Sequence, residues 1–191
     1  MTTSEGSLSK TTMSKSSIII PVYKAHHLHA EKLENKKWIT ERIIPLYYPY
    51  NFQKWEIHYK SFFKKPKLEK RVVASNLIKG DSSFADEWPS FSLGEVKENQ
   101  IIPSKVEKST YLASSREMVR RFYVHYARVW NVPRLELIEE KTAYLPYEVH
   151  LQKHTGKNQT RTMLYEPVSG HAENLDKYPE IHSFFTTIRE D

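Results

Sequence analysis

Lys79-Gly80, Phe84, Asp86, Trp88-Pro89 is matched farther along the chain by Ser169-Gly170, Asn174, Asp176, Tyr178-Pro179. Gly80 and Gly170, Asp86 and Asp176, Trp88 and Tyr178, and Pro89 and Pro179 each lie 90 residues apart, as do Arg71 and Arg161. Upstream, Tyr48-Pro49-Tyr50 is echoed by Leu145-Pro146-Tyr147 at an offset of 97. The second copy would then lack seven residues where a hairpin loop belongs. Repetition at fixed spacing sets architecture before any single motif is read. Gly, Pro and Asp are also ordinary turn residues, so the pattern speaks to fold and not to chemistry.

The pattern predicts an α+β fold of two related halves, each a helix plus an antiparallel sheet, with the helices on one face. The expected division is an N-terminal disordered tail over 1–17, a first repeat over 18–95, a linker over 96–113 and a second repeat over 114–191. Working outward from the repeated turns, Leu46 to Tyr59 reads as a strand rich in Tyr, Phe, Trp and Ile. Tyr50 and Phe52 share one face, while Trp55, Ile57 and Tyr59 fall out of phase with them, which predicts a bulge near Gln53-Lys54. Arg71 to Ile78 is the return strand. Ile18-Ile19-Ile20-Pro21-Val22-Tyr23 is a β-branched run whose proline marks an edge strand or a strand end.

Ala25 to Arg42 carries a helical stripe of Leu28, Leu33, Trp38 and Ile39. Asp86 to Pro103 lacks periodicity and reads as a linker. Ser114 with Glu117 fits a capping box that opens a helix running to about Trp130, with Met118, Phe122, Tyr126 and Val129 on one face. Leu135 to Ile138, Ala143 to Leu151 and Arg161 to Val168 read as strands, with a turn at 154–159. A short helix after Pro179 takes in Phe184, Phe185 and Ile188.

Composition narrows the classes. The chain has 191 residues, 39% of them hydrophobic and 13% aromatic, enough for a core built on rings without covalent staples. There is no cysteine, which removes disulfide frameworks and thiolate zinc sites. The Ser/Thr-rich first residues lack the apolar stretch of a signal peptide, and Ile18-Ile19-Ile20 is too short to span a bilayer. The expectation is a cytoplasmic protein without a membrane span. Five glycines form neither G-x-G-x-x-G nor a Walker loop, no G-x-S-x-G occurs, and no cofactor is expected.

The net charge is +6, which favours acidic partners. Cations are densest in a loop that interleaves them with rings: Lys60, Phe62, Phe63, Lys64, Lys65, Lys67 and, just beyond, Arg71. Rings of this kind can stack on bases while lysines neutralise phosphates. Arg116, Arg120, Arg121 and Arg128 put further charge on the expected helix. No RNP1-like, helix-turn-helix or zinc-finger pattern accompanies them.

The expected function is therefore an intracellular, non-catalytic binding protein whose partner is an acidic protein or single-stranded nucleic acid. Two alternatives belong to other classes. A histidine-dependent, metal-assisted hydrolase would draw on His26 and His29, three apart near a helix start, though no HExxH motif is present. A small-ligand regulator would use a cleft between the halves. His150 is expected to point away from Val149, where it could meet His58 or His125.

Overall fold

The computed structural model describes residues 16–24, 37–60, 65–125, 129 and 131–190. In chain order they form β1 (Ser17–Tyr23), β2 (Trp38–Tyr59), β3 (Lys67–Asn76), β4 (Ser82–Ala85), β5 (Phe91–Lys97), α1 (Lys108–His125), β6 (Arg134–His154), β7 (Thr160–Glu166), β8 (His171–Asn174) and α2 (Pro179–Glu190). Short 3-10 turns occupy Glu98–Gln100 and Leu175–Lys177. The class is α+β: one eight-stranded sheet and, among the described residues, two α-helices.

Two long strands organise everything else. β2 and β6 are 22 and 21 residues long and pair antiparallel from Trp38 with His154 to His58 with Arg134. β-branched and aromatic residues fill β2, as its propensity requires. The ladder is centred near the Tyr48–Leu145 pair, so the two prolines lie almost opposite: Pro49 faces Tyr144 and Pro146 faces Tyr47. β3 pairs the second half of β2, and β7 pairs the second half of β6. After each of these hairpins the chain turns through a glycine at positive φ, Gly80 at 81° and Gly170 at 71°, and returns as β4 or β8. β1 pairs β5 antiparallel along its whole length and touches β6 in parallel at Val22 and Tyr144.

Several expectations need correction. The helix expected over 25–42 is a strand from Trp38 onward, because these residues extend the ladder with β6; residues 25–36 lie outside the described residues. The sheet is mixed, with parallel contacts at Val22–Tyr144 and at a Tyr47–Ile101 bridge. The register does shift at Lys54–Trp55, but the extra residue is Ile138 in β6, and β2 stays in unbroken register with β3. The stretch read as a linker holds β5, whose Val96 is buried, and then Ile102, also buried. α1 starts at Lys108, six residues before the expected cap; Ser114 lies inside it and donates from Oγ to the Gly80 carbonyl at 3.3 Å. Glu139 to Thr142 pair with β2, so the two strands expected around them are one.

The phase slip in β2 has a different cause from a bulge in that strand: its two ends bury opposite faces. Leu46 and Tyr48 join Val149, Leu164, Ile181 and Phe185 in a core under α2. Trp55 and Ile57 join Val73, Val119 and Tyr123 in a second core under α1. Even and odd positions of a strand face opposite ways. The helices therefore cover opposite faces, not one. On α1 the buried stripe is Tyr111, Ser115, Val119 and Tyr123, with Met118 and Phe122 at its margin. Within the described residues no helix is long and apolar enough to cross a membrane.

Candidate anion-binding surface

The ends of β2 and β3 meet the C-terminal part of α1, where the Tyr59 and Tyr123 rings lie 4.9 Å apart. The strands bring together cations that the sequence places apart. Lys60, Lys67 and Arg134 line one groove of about 470 Å³ with His58, Tyr59 and Asn131. Arg134 reaches this groove because it pairs with His58 across the ladder. Lys60, Lys65 and Lys67 are exposed and have no ion-pair partner among the described residues. Arg134 is 82% exposed and only 4.0 Å from Glu136. Two apolar residues stand open in the same groove, Leu68 and Val132, at 57% and 69% exposure.

The backbone adds a second feature. β4 covers only Val72 to Ser75 of β3. Among the described residues no strand pairs the outer edge of Lys67 to Arg71. An unpaired edge presents a row of N–H and C=O groups able to accept another strand.

The other predicted cations fare differently. Arg71 is exposed but engaged by its own fold: it pairs with Glu69, and its Nε donates to the Tyr123 hydroxyl at 3.5 Å. That hydroxyl contact, together with Glu69, holds the Arg71 guanidinium pKa above its usual value against the opposing effect of burial. Arg120 and Arg121 both bind Glu117, at 2.7 and 2.8 Å, and their hydrogen bonds pull the Glu117 carboxyl down to about 2. Arg116 is exposed on the same helix. Phe62, Phe63, Lys64 and Arg128 lie outside the described residues, as do His26 and His29.

His58 and His150 do not meet. They pair with Arg134 and Ile43 at opposite ends of the β2–β6 ladder, and α1 with His125 stands over the His58 end. His150 is buried, with Nε2 on Glu148 at 2.9 Å and its ring edge-on to Tyr165. Among the described residues its Nδ1 has no hydrogen-bond partner. The seam between the two long strands is itself a hydrogen-bonded ladder.

Leu68, Val132 and Arg134 are groove residues that sequence reasoning missed. The one available signal was the break at Pro133, which starts a strand opposite the end of β2. Comparison with protein families, curated proteins and solved structures finds no match for this chain.

Proposed function

We propose that the protein is a non-catalytic binding module that receives an acidic segment of a partner protein along the outer edge of β3. The observation that carries this reading is one groove in which Lys60, Lys67 and Arg134 surround exposed Leu68 and Val132, and whose β3 side runs into an edge, Lys67 to Arg71, that no described strand pairs. Strand addition supplies affinity through main-chain hydrogen bonds, and side chains alternating along the added strand supply specificity. An acidic residue of the added strand would meet Lys67 and an aliphatic one Leu68; Arg134 and Val132, on the far side of β2, would be met by chain that continues from the added strand across the groove. Among the described residues, which leave out Phe62, Phe63 and Lys64, nucleic acid is less well served. Arg71, Arg120 and Arg121 are held by carboxylates, and Tyr59 is packed against Tyr123 with its hydroxyl donating to Glu69 at 3.1 Å. A stacking platform needs an open ring face.

The internal repeat belongs to the same proposal. The ladder centred near Tyr48–Leu145 and the paired glycine turns support descent of β2–β4 and β6–β8 from one hairpin-bearing unit. The helices, on opposite faces, do not follow that relation.

The test uses the full chain, a labelled peptide of alternating Glu and Leu, and a mixed single-stranded oligonucleotide, by fluorescence anisotropy at two salt concentrations. The expected result is peptide binding that weakens with salt, and weakens at least about tenfold in the Lys60→Glu/Lys67→Glu/Arg134→Glu variant, since like charges repel at such a surface. Peptide binding unchanged in that variant, or absent at low salt, overturns the proposal. Tighter oligonucleotide binding with a linear log–log salt dependence overturns it in favour of nucleic acid.

A further inference from the structure

The face of the β2–β6 ladder opposite α1 carries a side-chain set that the binding reading leaves largely unused, His58 alone also lining its groove. Glu56 and His58 are two apart in β2, so they stand on the same face, turned away from the buried Trp55 and Ile57. Glu136 of β6 pairs directly with Glu56 across the ladder. One ligand atom from each of Glu56, His58 and Glu136 lies within 4.8 Å of the others. His58 Nε2 and Glu56 Oε1 are hydrogen-bonded at 3.0 Å, a contact that a bound ion would replace. Two ligands on one tetrahedral zinc ion, each bonded at 2.0–2.1 Å, sit about 3.3 Å apart.

The ladder also explains why these groups are awkward without a cation. Carboxylates directly opposite on one face repel each other. The neighbouring cations answer that repulsion weakly. Lys70, which pairs with Glu56 in β3, holds its Nζ 3.8 Å from Glu56 Oε2, and Arg134 stands 4.0 Å from Glu136. Glu136 and His58 are 59% and 46% exposed, so their side chains can close on an ion without moving the backbone.

We propose that Glu56, His58 and Glu136 form a binding site for a divalent transition-metal ion of the zinc class. One imidazole nitrogen and two carboxylate oxygens make a borderline donor set that suits zinc and, less tightly, manganese; it suits magnesium poorly, which prefers an all-oxygen shell. Three protein ligands leave the remaining coordination position to solvent or to a ligand from outside. Strand geometry orients the ligands, because all three project from paired, regular backbone. The site adjoins the acidic-partner groove, which His58 also lines and whose Arg134 stands beside Glu136, but metal binding is measured without peptide, so either reading can fail while the other stands.

The experiment is calorimetric titration of the full, chelator-treated chain with zinc, repeated with magnesium, for the unaltered protein and for His58→Ala, Glu136→Gln and Lys70→Met. All three substituted side chains are substantially exposed, and circular dichroism checks that each variant folds. One equivalent of zinc is expected to bind at micromolar concentration or below, with magnesium at least a hundredfold weaker. His58→Ala and Glu136→Gln should each lose about tenfold or more in affinity, because removing a ligand costs at least what removing its supporting contact does. Lys70→Met, which removes the ammonium competing for Glu56, should bind severalfold more tightly. No stoichiometric zinc binding by the unaltered chain, or binding that His58→Ala leaves intact, overturns the proposal; the latter places the ion on other histidines.

Discussion

Gly80 and Gly170 do at single positions what no other residue does cheaply. Both sit at positive φ, where a Cβ crowds the following carbonyl. At Gly80 a Cβ would meet Val106 Cγ2 at 3.6 Å, an ordinary contact, so space is not the obstacle and backbone strain is. Gly80→Ala should therefore cost about 1 kcal/mol, and Gly80→Asn less, because Asn tolerates the left-handed region. Urea midpoints of the three proteins check this; an alanine variant as stable as the parent would refute it. The glycine turns were legible in the sequence, since few residue types suit such a position. The charges were legible only as charges. Arg71 looks like Lys67 in a composition plot, yet it is bound to Glu69 and Tyr123 while Lys67 lines an open groove. Which carboxylate neutralises which cation is decided by pairing across strands, and one sequence does not contain that pairing. Glu117 shows the local case: its two arginines at i+3 and i+4 were within reach of helical spacing.

Between residues and the fold stand the strands and helices, and here face assignment carries the energy. Ile57 is fully buried beneath α1, against Val119 and Tyr123. Leu93 in β5 is 77% exposed. Ile57→Ala should lose about 3 kcal/mol, from transfer and from the cavity left behind. Leu93→Ala should change stability by no more than about 0.5 kcal/mol. Denaturant unfolding of both variants decides the matter, and equal losses would contradict the two-core arrangement. The strand at 46–59 and the helix after Pro179 could be read from the chain because aromatic density and a proline-led apolar stripe point one way. The phase slip in β2 was also visible, and the irregularity it predicts is found at Lys54–Trp55, but the extra residue belongs to β6 and the slip itself comes from burial on opposite faces. Out-of-phase apolar residues signal either a bulge or a strand buried on opposite faces at its two ends, and period alone does not separate these. Trp38 to Arg42 failed for a related reason: a short stripe at helical spacing gave way to a ladder with β6 that local propensity does not report. β5 was missed because Gly94 and neighbouring polar residues hide a strand whose stability comes from pairing with β1.

The tyrosines tie the two long strands to the core under α2, and they make the protein as a whole sensitive to alkali. Tyr48, Tyr50 and Tyr147 cluster on one face, with Tyr48 and Tyr50 ring centres 5.5 Å apart and Tyr48 and Tyr147 5.9 Å apart. Burial pushes the Tyr50 hydroxyl up to about 12, with Asp81 and Glu166 adding to the rise. Tyr48 and Tyr147 are raised further, again chiefly by burial. Beneath α1, burial likewise lifts Tyr123 to about 12, although its hydrogen bond with Arg71 pulls the other way. The unfolded chain releases these protons near pH 10, and the folded chain holds them longer. Between those values the unfolded state binds fewer protons, so unfolding becomes easier as pH rises. The stabilisation these neutral hydroxyls provide is complete below about pH 10 and is lost as pH climbs through the folded-state values. Because the raised tyrosines lie in both cores, the loss should be global and cooperative, with tyrosinate absorbance and circular dichroism changing together. Tyr147→Phe removes one buried ionisable hydroxyl and should shift the alkaline transition upward, while leaving stability at neutral pH within about 1 kcal/mol, since among the described residues burial and nearby charges, and no hydrogen bond, act on that hydroxyl. Urea unfolding at neutral pH and at about pH 11 measures both effects. Tyrosines that ionise near pH 10 while the helices persist would show that these rings are open to solvent, and the core beneath α2 would then need to be redrawn.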